Sequence, residues 1–325
     1  MDPPAIERNK LRPGCDAISD MRVLVAGGSG FVGQVLCSVL QERGHDVTAA
    51  SRSPNAAALP EGVATARLDV TDAPLDDVVR GHDAVVNLVA LPSHVQPRGR
   101  SHEAVHNHGT RHLVAAADRT GVDRFVQMSG LGVDSGIETA YFQAKRRGER
   151  AVRESDLGWV IYRPSVVFGE GCLFVRFVER VVPPVVAPLP GGGSMCLQPI
   201  WVGDLASMLA DGVLEDRHTG ETYELGGPEV LTLAETIQRI VGNRVVLPIP
   251  MPIAAFGASI AGRIPGSPIG IDQYRVLAHD NVTNPNDVTT FGVDESDLAR
   301  LGLPLDAGET APSADSSCSS FDGRL

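Results

Sequence analysis

The chain has 325 residues, and a composition of 43% hydrophobic and 21% charged residues excludes a globally disordered protein. Its formal net charge of −12 argues against a nucleic-acid partner, because binding to phosphates needs a basic surface. No apolar run approaches the roughly 20 residues of a membrane-spanning helix, and residues 1–20 lack the apolar core of a secretory signal. We therefore expect a cytoplasmic protein without a transmembrane segment.

Lysine is nearly absent from the chain: only Lys10 and Lys145 occur, and the other permanently charged cations are arginines. This pattern and the acidic balance indicate a salt-adapted surface, because a high net charge keeps a protein dispersed where salt screens single charges. The five cysteines form no Cys-x-x-Cys pair, which favours reduced thiols.

Strand-like and helix-like segments alternate in the first half of the chain. Apolar runs predict six strands, at Met21–Ala26, His45–Ala50, Val63–Leu68, Asp83–Val89, Asp123–Met128 and Trp159–Arg163. Helical spacing predicts helices from Phe31 to Leu40, through Val105 to Val114, and over Thr139–Ser155. Apolar strands that alternate with helices form a parallel sheet covered on both faces. The sequence therefore predicts an α/β fold with a Rossmann-type, doubly wound parallel sheet.

The alternation fails after residue 169, where prolines interrupt the chain. The remaining predicted elements are a strand at Gln198–Val202, a helix at Asp204–Leu214, a strand at Thr222–Leu225 and a helix at Thr232–Val241. This last helix is opened by Thr232 with Glu235 three residues later, which is the spacing of a capping box.

These patterns divide the chain into four predicted parts. They are a flexible extension over 1–20, a nucleotide-binding Rossmann domain over 21–169, a smaller C-terminal substrate lobe over 170–307 that partly returns to the main sheet, and a disordered tail over 308–325. Two apolar, proline-rich stretches, Val181–Leu189 and Pro250–Ile264, either pack this lobe or cover an apolar substrate, a membrane surface or a partner.

A glycine-rich turn joins the first predicted strand to the first predicted helix. It reads Gly27-Gly28-Ser29-Gly30-Phe31-Val32-Gly33. Glycines permit a tight turn and a close approach of phosphate oxygens to backbone N–H groups, and the helix N-terminus adds about half a positive charge. In this strand–helix context the motif predicts a dinucleotide site rather than a purely structural turn.

The end of the second strand bears on the choice of cofactor. It reads Ser51-Arg52 and has no carboxylate for a ribose 2′-hydroxyl, so it favours NADP(H), while NAD(H) stays open. Arg52 could equally be a solvated surface charge. Asp69 and Val70 follow the third strand, where they would bound the adenine, although Asp69 could instead cap the next segment.

These motifs, in this order, resemble the extended short-chain dehydrogenase/reductases. The resemblance covers roughly residues 21–295 and rests also on Asn87-Leu88-Val89-Ala90, Tyr141-Phe142-Gln143-Ala144-Lys145 and the stretch from Arg163-Pro164 to Gly169. Met128-Ser129-Gly130 and Lys145-Arg146-Arg147-Gly148-Glu149 are most similar to the atypical branch that contains the nucleotide-binding accessory subunit of respiratory complex I. The resemblance implies that Leu88, Val89, Ala90 and Pro164 also contact the cofactor.

The resemblance implies a catalytic role for Tyr141 and Lys145, which match the family's Tyr-x-x-x-Lys pair. Their i, i+4 spacing puts both on one helix face. The lysine charge can lower the phenol pKa, which would let Tyr141 act as a general acid or base, and the ammonium would hold the nicotinamide ribose. A plain surface pair is the alternative.

Other members of the family's catalytic set are displaced in this sequence. The family has a serine or threonine one or two places beyond Ser129, where this chain has Gly130 and Leu131, so Ser129 either serves in its place or simply ends the strand. His106 stands where the family has an asparagine, and Asn107 lies one position late.

Five histidines lie close together in sequence, at positions 94, 102, 106, 108 and 112. They form two i, i+4 pairs on different sides of one helix, and no carboxylate or cysteine completes a ligand set. We therefore interpret them as solvated or capping side chains and predict no metal.

Two functions follow from these residues. The first is an oxidoreductase, epimerase or dehydratase acting on an unknown small molecule. The second is a non-catalytic NADP(H)-binding accessory or redox-sensing subunit of a respiratory or quinone-linked assembly. A homodimer and a peripheral contact with a membrane or a respiratory complex are compatible with both.

Overall fold

The computed structural model of the chain describes residues 20–91, 100–262 and 271–302. The predicted extension over 1–20, apart from Asp20, and the predicted tail over 308–325 lie outside these residues. Within the described part, no helix is both long enough and apolar enough to cross a membrane.

The strands of the described residues are named in chain order. They are β1 (Arg22–Ala26), β2 (Asp46–Ser51), β3 (Ala64–Arg67), β4 (Ala84–Asn87), β5 (Arg124–Met128), β6 (Gly158–Pro164), β7 (Val167–Phe168), β8 (Val186–Pro190), β9 (Cys196–Leu197), β10 (Ile200–Trp201), β11 (Glu221–Leu225), β12 (Leu231–Thr232) and β13 (Val245–Ile249).

The helices of the same residues are named likewise. They are α1 (Phe31–Glu42), α2 (Asp76–Val79), α3 (Gly109–Thr120), α4 (Ala140–Arg153), α5 (Leu173–Val181), α6 (Val202–Leu214), α7 (Leu233–Val241), α8 (Met251–Ala261) and α9 (Ile271–Leu277). A π-helical turn, Glu103–His108, runs directly into α3.

Seven parallel strands form the main sheet, in the order β11-β6-β5-β4-β1-β2-β3. Strands β2 and β3 lie on one side of β1, and strands β4, β5, β6 and β11 follow one another on its other side. Ligands of such sheets bind at the carboxyl ends of the strands where this order reverses, which here lies between β1 and β4. The predicted doubly wound α/β fold is confirmed.

Helices cover both faces of this sheet. On one face α1 contributes Leu36 and Leu40 to a core that it shares with Leu205 and Leu209 of α6. On the other face α3 packs Leu113, together with α2 and α4, against β1, β4 and β5. Strands covered in this way are apolar along their whole length, and four of the five residues of β1 are fully buried.

The second half of the chain completes the sheet with β11 and also builds small pairs of strands outside it. The capping box at α7 is confirmed, because Thr232 and Glu235 exchange side-chain and backbone hydrogen bonds. The predicted strand Gln198–Val202 is only partly right: only Ile200–Trp201 forms a strand, β10, and Val202 already begins α6. Gln198 lies between β9 and β10, where its side chain bonds Gly227 and Thr283. The division into a domain over 21–169 and a lobe over 170–307 stays a prediction.

The structure bears on two smaller expectations from the sequence. Cys37 and Cys172 are free and buried, but Cys196 is disulfide-bonded, so the prediction of reduced thiols is wrong at that position. For the apolar stretch Pro250–Ile264, both packing and a covering role were open, and α8 leaves Ile253 and Phe256 62% and 68% exposed.

Candidate nucleotide and catalytic site

The glycine-rich turn at the end of β1 closes tightly on itself. Gly27 has a φ of +89° and donates its N–H to Ala50 O at 2.7 Å, and Gly30 N donates to Gly27 O at 2.9 Å. A Cβ at Gly28 would lie 2.7 Å from the Ala49 Cα, and one at Gly33 would overlap Gly27 O. Glycine is therefore required here by contact with backbone, as a dinucleotide-binding turn demands.

Helix α1 begins directly after this turn without a side-chain cap. Gly30 is its N-cap residue, and no acidic residue lies in its first turn. The N–H groups of a first turn have no partner within the helix and carry the positive end of its dipole. Phe31, Val32 and Gly33 supply these groups, so this end of α1 suits the phosphates of a dinucleotide.

A cavity of about 230 Å³ opens beside the turn, at the carboxyl ends of β1, β2 and β4. Nine of the predicted cofactor residues line it: Gly27, Ser29, Gly30, Arg52, Asp69, Val70, Leu88, Val89 and Ala90. Ser51, which the sequence analysis names together with Arg52, also lines it, and four further lining residues were not singled out: Leu68, Leu91, Arg100 and Val105. Phe31, Val32, Gly33, Tyr141, Lys145 and Pro164 do not line this cavity.

An ion pair stands at one wall of the cavity. Arg100 donates from Nη1 to Asp69 Oδ1 at 3.1 Å and from Nη2 to Asp69 Oδ2. Thr71 adds its N–H and its hydroxyl to Oδ1, at 3.1 and 2.8 Å. The hydrogen bonds from Arg100 hold the pKa of Asp69 well below its ordinary value, so this carboxylate is charged. Arg52 differs, because it is exposed and makes no hydrogen bond or ion pair with the other described residues.

Tyr141 and Lys145 lie on one face of α4, which begins at a cap where Thr139 Oγ1 accepts from Phe142 N at 3.2 Å. Lys145 is 5% exposed, and its Nζ lies 5.4 Å from the Tyr141 ring centroid and 3.4 Å from Met128 O. Burial lowers the pKa of Lys145 to about 8. Burial raises the pKa of Tyr141, which is opposite in direction to the lowering expected from the lysine charge.

Two histidines also pack against the tyrosine. The rings of His102 and His106 are 5.7 Å apart and stacked, and each meets the Tyr141 ring edge-on, at 5.5 and 5.3 Å. They are 3% and 4% exposed, and burial lowers the pKa of both. Their interpretation as solvated or capping side chains is therefore wrong. The π-helical turn that carries His106 is a conformation that is frequent at functional sites.

Three comparisons with known proteins bear on this geometry. Residues 27–170 match a family model described as NAD(P)H-binding. The chain is 30% identical over 249 residues to the 2-alkyl-3-oxoalkanoate reductase of Stenotrophomonas maltophilia, covering 68% of this chain and 75% of that enzyme. The chain belongs to the NAD(P)H-binding short-chain dehydrogenase/reductase family.

Other members of the family include both enzymes and subunits of a larger assembly. The chain is 27% identical over 320 residues to the mitochondrial NADH dehydrogenase (ubiquinone) 1 alpha subcomplex subunit 9 of Arabidopsis thaliana, covering 90% of this chain and 78% of that protein. The solved structure of MoeE5 in complex with UDP-glucuronic acid and NAD has the same fold, with a TM-score of 0.58 and 22% identity over 70% of this chain and 85% of that chain.

The resemblance to this family directs attention to the residues around the tyrosine hydroxyl. A Cβ at Gly130 would lie 3.4 Å from Tyr141 Oη, so a family serine at this position would face the phenol. Gly130 has no side chain to do so, and Ser129 is buried at the end of β5 with its N–H bonded to Tyr162 O at 2.6 Å. Pro164 ends β6, where its carbonyl accepts from Leu131 N at 2.9 Å.

Proposed function

We propose that the protein binds NADP(H) in preference to NAD(H) and uses Tyr141 and Lys145 in an oxidoreductase, epimerase or dehydratase reaction on a small molecule. The proposal rests on two sites that lie next to each other at the carboxyl edge of the sheet. One is a cavity lined by the glycine turn and Arg52, and the other is a protonated, half-buried Tyr141 beside a buried Lys145.

The residues that would hold the cofactor fit its chemical parts. Gly27, Ser29, Gly30 and the first-turn N–H groups of α1 offer donors to the pyrophosphate. Leu88, Val89 and Ala90 offer an apolar wall. Arg52 has no partner among the described residues, so its charge is free for a 2′-phosphate. The cavity has no carboxylate at the end of β2, where one would bind the 2′-hydroxyl of NAD(H).

The NADP(H) preference is tested by replacing Arg52. We expect wild type to bind NADPH at least about tenfold more tightly than NADH, and we expect Arg52→Ala to lose that margin of roughly 1.4 kcal/mol. Nicotinamide fluorescence titration of both nucleotides measures the four dissociation constants. Arg67→Ala, an arginine at the end of β3 outside the cavity lining, is the matched control. Equal affinities of wild type for NADPH and NADH would contradict the proposed preference. Failure of the folded protein to bind either nucleotide would contradict the proposed function.

The side chains of α4 supply acid–base chemistry next to this site. The bound nicotinamide would supply or take up a hydride. Because burial keeps Tyr141 protonated, its Oη is set to donate a proton to an oxygen of the substrate. Lys145, held at Met128 O and buried beside the ring, would orient the ribose and stabilise the phenolate as the proton leaves.

A second function is favoured by one observation, which is the missing hydroxyl at Gly130. Without it a substrate oxygen loses one donor, and the protein would then hold its nucleotide as an accessory or redox-sensing subunit of a respiratory or quinone-linked assembly. The likeness to the Arabidopsis subunit supports this alternative, and the likeness to the reductase supports the first.

Restoring the hydroxyl distinguishes these two functions. We expect Gly130→Ser to raise kcat/KM for NADPH-dependent reduction of a 2-alkyl-3-oxoalkanoate by about 100- to 1,000-fold, because one donor to a developing oxyanion has an effect of this order. Gly130→Ala adds the Cβ without the hydroxyl and should match wild type. If wild type and Gly130→Ser both bind NADPH but neither turns over a panel of ketone substrates, the accessory function is favoured.

The remaining expectations are proposals of the same standing. They are the unknown small-molecule substrate, a homodimer, a peripheral contact with a membrane or respiratory complex, a cytoplasmic location, and a salt-adapted surface that rests on the net charge of −12.

A further inference from the structure

Helix α8 is apolar on all its sides and yet is not buried. Its 11 residues include no charged side chain, and within the helix the structure buries only Ala258. Ile253, Phe256 and Ile260 follow one another along one face and are 62%, 68% and 45% exposed. A helix that is hydrophobic all round belongs in a protein core or in a membrane. The outer side of α8 therefore lacks a cover among the described residues.

The small sheet of β8 and β13 extends this exposed surface. The two strands are parallel and pair Val186 with Val245, so that both side chains point to the same side. Val186, Val245 and Leu247 are exposed, whereas Ala187 and Leu189 of the opposite side pack into a core. Helix α8 follows β13 directly. We call the six exposed residues of these elements the apolar face: Val186, Val245, Leu247, Ile253, Phe256 and Ile260.

The charges beside the apolar face differ in sign from the charge of the whole chain. No aspartate or glutamate occurs in residues 181–199 or 245–262, although the chain has 40 of them and a net charge of −12. The first of these segments is preceded by Arg176, Glu179 and Arg180, and the second by Arg244. The three arginines form no ion pair with the other described residues. The apolar face is thus bordered by a net positive charge.

We propose that the apolar face docks on the surface of an anionic lipid bilayer, with α8 lying in the interface and Arg180 and Arg244 at the lipid phosphates. Apolar side chains at the boundary of headgroups and acyl chains, together with arginines at anionic headgroups, are what hold such a helix on a membrane. The acidic remainder of the surface would be repelled, which orients the protein with this face toward the lipid. The inference assigns residues to the peripheral membrane contact that was expected from the sequence, and it does not depend on the nucleotide site.

A second copy of the chain fits the apolar face less well. In a symmetric dimer the same surface lies on both sides of the interface. Arg176, Arg180 and Arg244 would then lie near the same three arginines, and Glu179 is the one carboxylate beside them in sequence. Like charges across an interface oppose association, whereas an anionic bilayer has the complementary charge.

The experiment is co-sedimentation of the full chain with lipid vesicles. Vesicles of equal parts phosphatidylglycerol and phosphatidylcholine are compared with vesicles of phosphatidylcholine alone, at low ionic strength, where exposed charges are least screened. The variants are Phe256→Ser and Arg180→Gln. Their matched controls are Val230→Ser and Arg67→Gln, because Val230 is 42% exposed, Arg67 is exposed without an ion pair to the other described residues, and both lie outside the apolar face.

We expect wild type and both controls to bind the anionic vesicles at least about tenfold more tightly than the neutral vesicles. Phe256→Ser should weaken this binding about tenfold or more, because the large apolar side chain no longer leaves water on docking. Arg180→Gln should weaken it about fivefold, the effect of one basic residue near an anionic surface. Because both side chains are exposed, thermal unfolding and NADPH affinity of the variants should match wild type.

Three results would overturn the inference. One is a wild type that does not bind the anionic vesicles, another is equal binding to both kinds of vesicle, and the third is a Phe256→Ser variant that binds them as wild type does. Sedimentation velocity tests the other occupant: a wild-type dimer that Phe256→Ser converts to a monomer, without vesicle binding, would assign the apolar face to a second copy. NADPH titration is a separate measurement, so failure of the membrane contact leaves the proposed function standing, and failure to bind NADPH leaves the membrane contact standing.

Discussion

Gly33→Ala is expected to weaken NADPH binding at least about 100-fold and to lower the free energy of unfolding by about 1–3 kcal/mol, the usual cost of overpacking. The cause is steric, since the new Cβ would overlap Gly27 O and come within 2.7 Å of the Gly28 Cα. These are backbone atoms of the phosphate turn, so relief requires α1 to move away from the turn. Urea unfolding and nucleotide titration measure the two effects.

The control variant, Gly257→Ala, is not expected to lower the free energy of unfolding. Gly257 lies inside α8, and a Cβ there would meet nothing within 4 Å. Alanine is the better helix former by about 1 kcal/mol, so Gly257→Ala should be neutral or stabilising and should leave NADPH binding unchanged. If Gly33→Ala and Gly257→Ala are equally stable and bind NADPH equally well, α1 does not approach the turn as closely as described.

Arg163→Met is expected to destabilise the protein by about 3–5 kcal/mol, the range seen when one partner of a buried ion pair is removed. The guanidinium donates from Nε and Nη2 to Glu149 at 3.0 and 2.7 Å, and the two side chains are 7% and 1% exposed. Without Arg163, the cation that remains next to the buried Glu149 carboxylate is Arg153, at 2.8 Å. Denaturant unfolding at neutral pH measures the loss.

Two further measurements establish that the buried charge is the cause. Arg146→Met removes a surface pair with Glu138 and should cost at most about 1 kcal/mol. The double variant Arg163→Met/Glu149→Leu should regain much of the stability, because no buried charge is left unpaired: the other carboxylates that contact Arg163, those of Asp134 and Glu224, are 61% and 39% exposed. A double variant as unstable as Arg163→Met would point instead to lost packing around the arginine.

The Arg163–Glu149 pair also makes the free energy of unfolding depend on pH. Burial acts to raise the pKa of Glu149, but the hydrogen bonds and the charge of Arg163 outweigh it, so this pKa lies below its ordinary value of 4.5. A carboxylate with a depressed folded-state pKa contributes stability above its unfolded-state pKa and loses that contribution as the pH falls through the folded-state value. Wild type should therefore lose more stability than the double variant below a pH of about 4.5.

The parts of the fold that rest on short-range patterns were predictable from the sequence. The apolar residues of β1 and the glycines from Gly27 to Gly33 set a strand, a turn and a helix within a few positions, and the structure has all three. The helix predicted to begin at Thr139 and the capping box at Thr232 were readable for the same reason. In each case the chemistry lies inside one local segment.

The contacts that the sequence did not predict join distant segments. Arg100 reaches Asp69 across 31 positions, and nothing in its own neighbourhood marks it as a cavity residue. His102 and His106 were interpreted as solvated because no carboxylate or cysteine completes a ligand set with them, whereas in the structure they are buried against the ring of Tyr141 on α4. Isolated arginines and histidines that follow a nucleotide-binding strand are the one signal that would have directed attention to them.

The position of β11 and α6 has a consequence for how the protein is made on the ribosome. Strand β6 pairs with β5 on one side and with β11 on the other, and α6 closes the core over α1, with Arg43 held to Asp211 at 2.6 Å. A nascent chain that has emerged only as far as Pro164 therefore still has an open sheet edge and an uncovered apolar face. We expect the main sheet to be completed only after about residue 225 has emerged, and we expect the growing chain to be prone to aggregation until then.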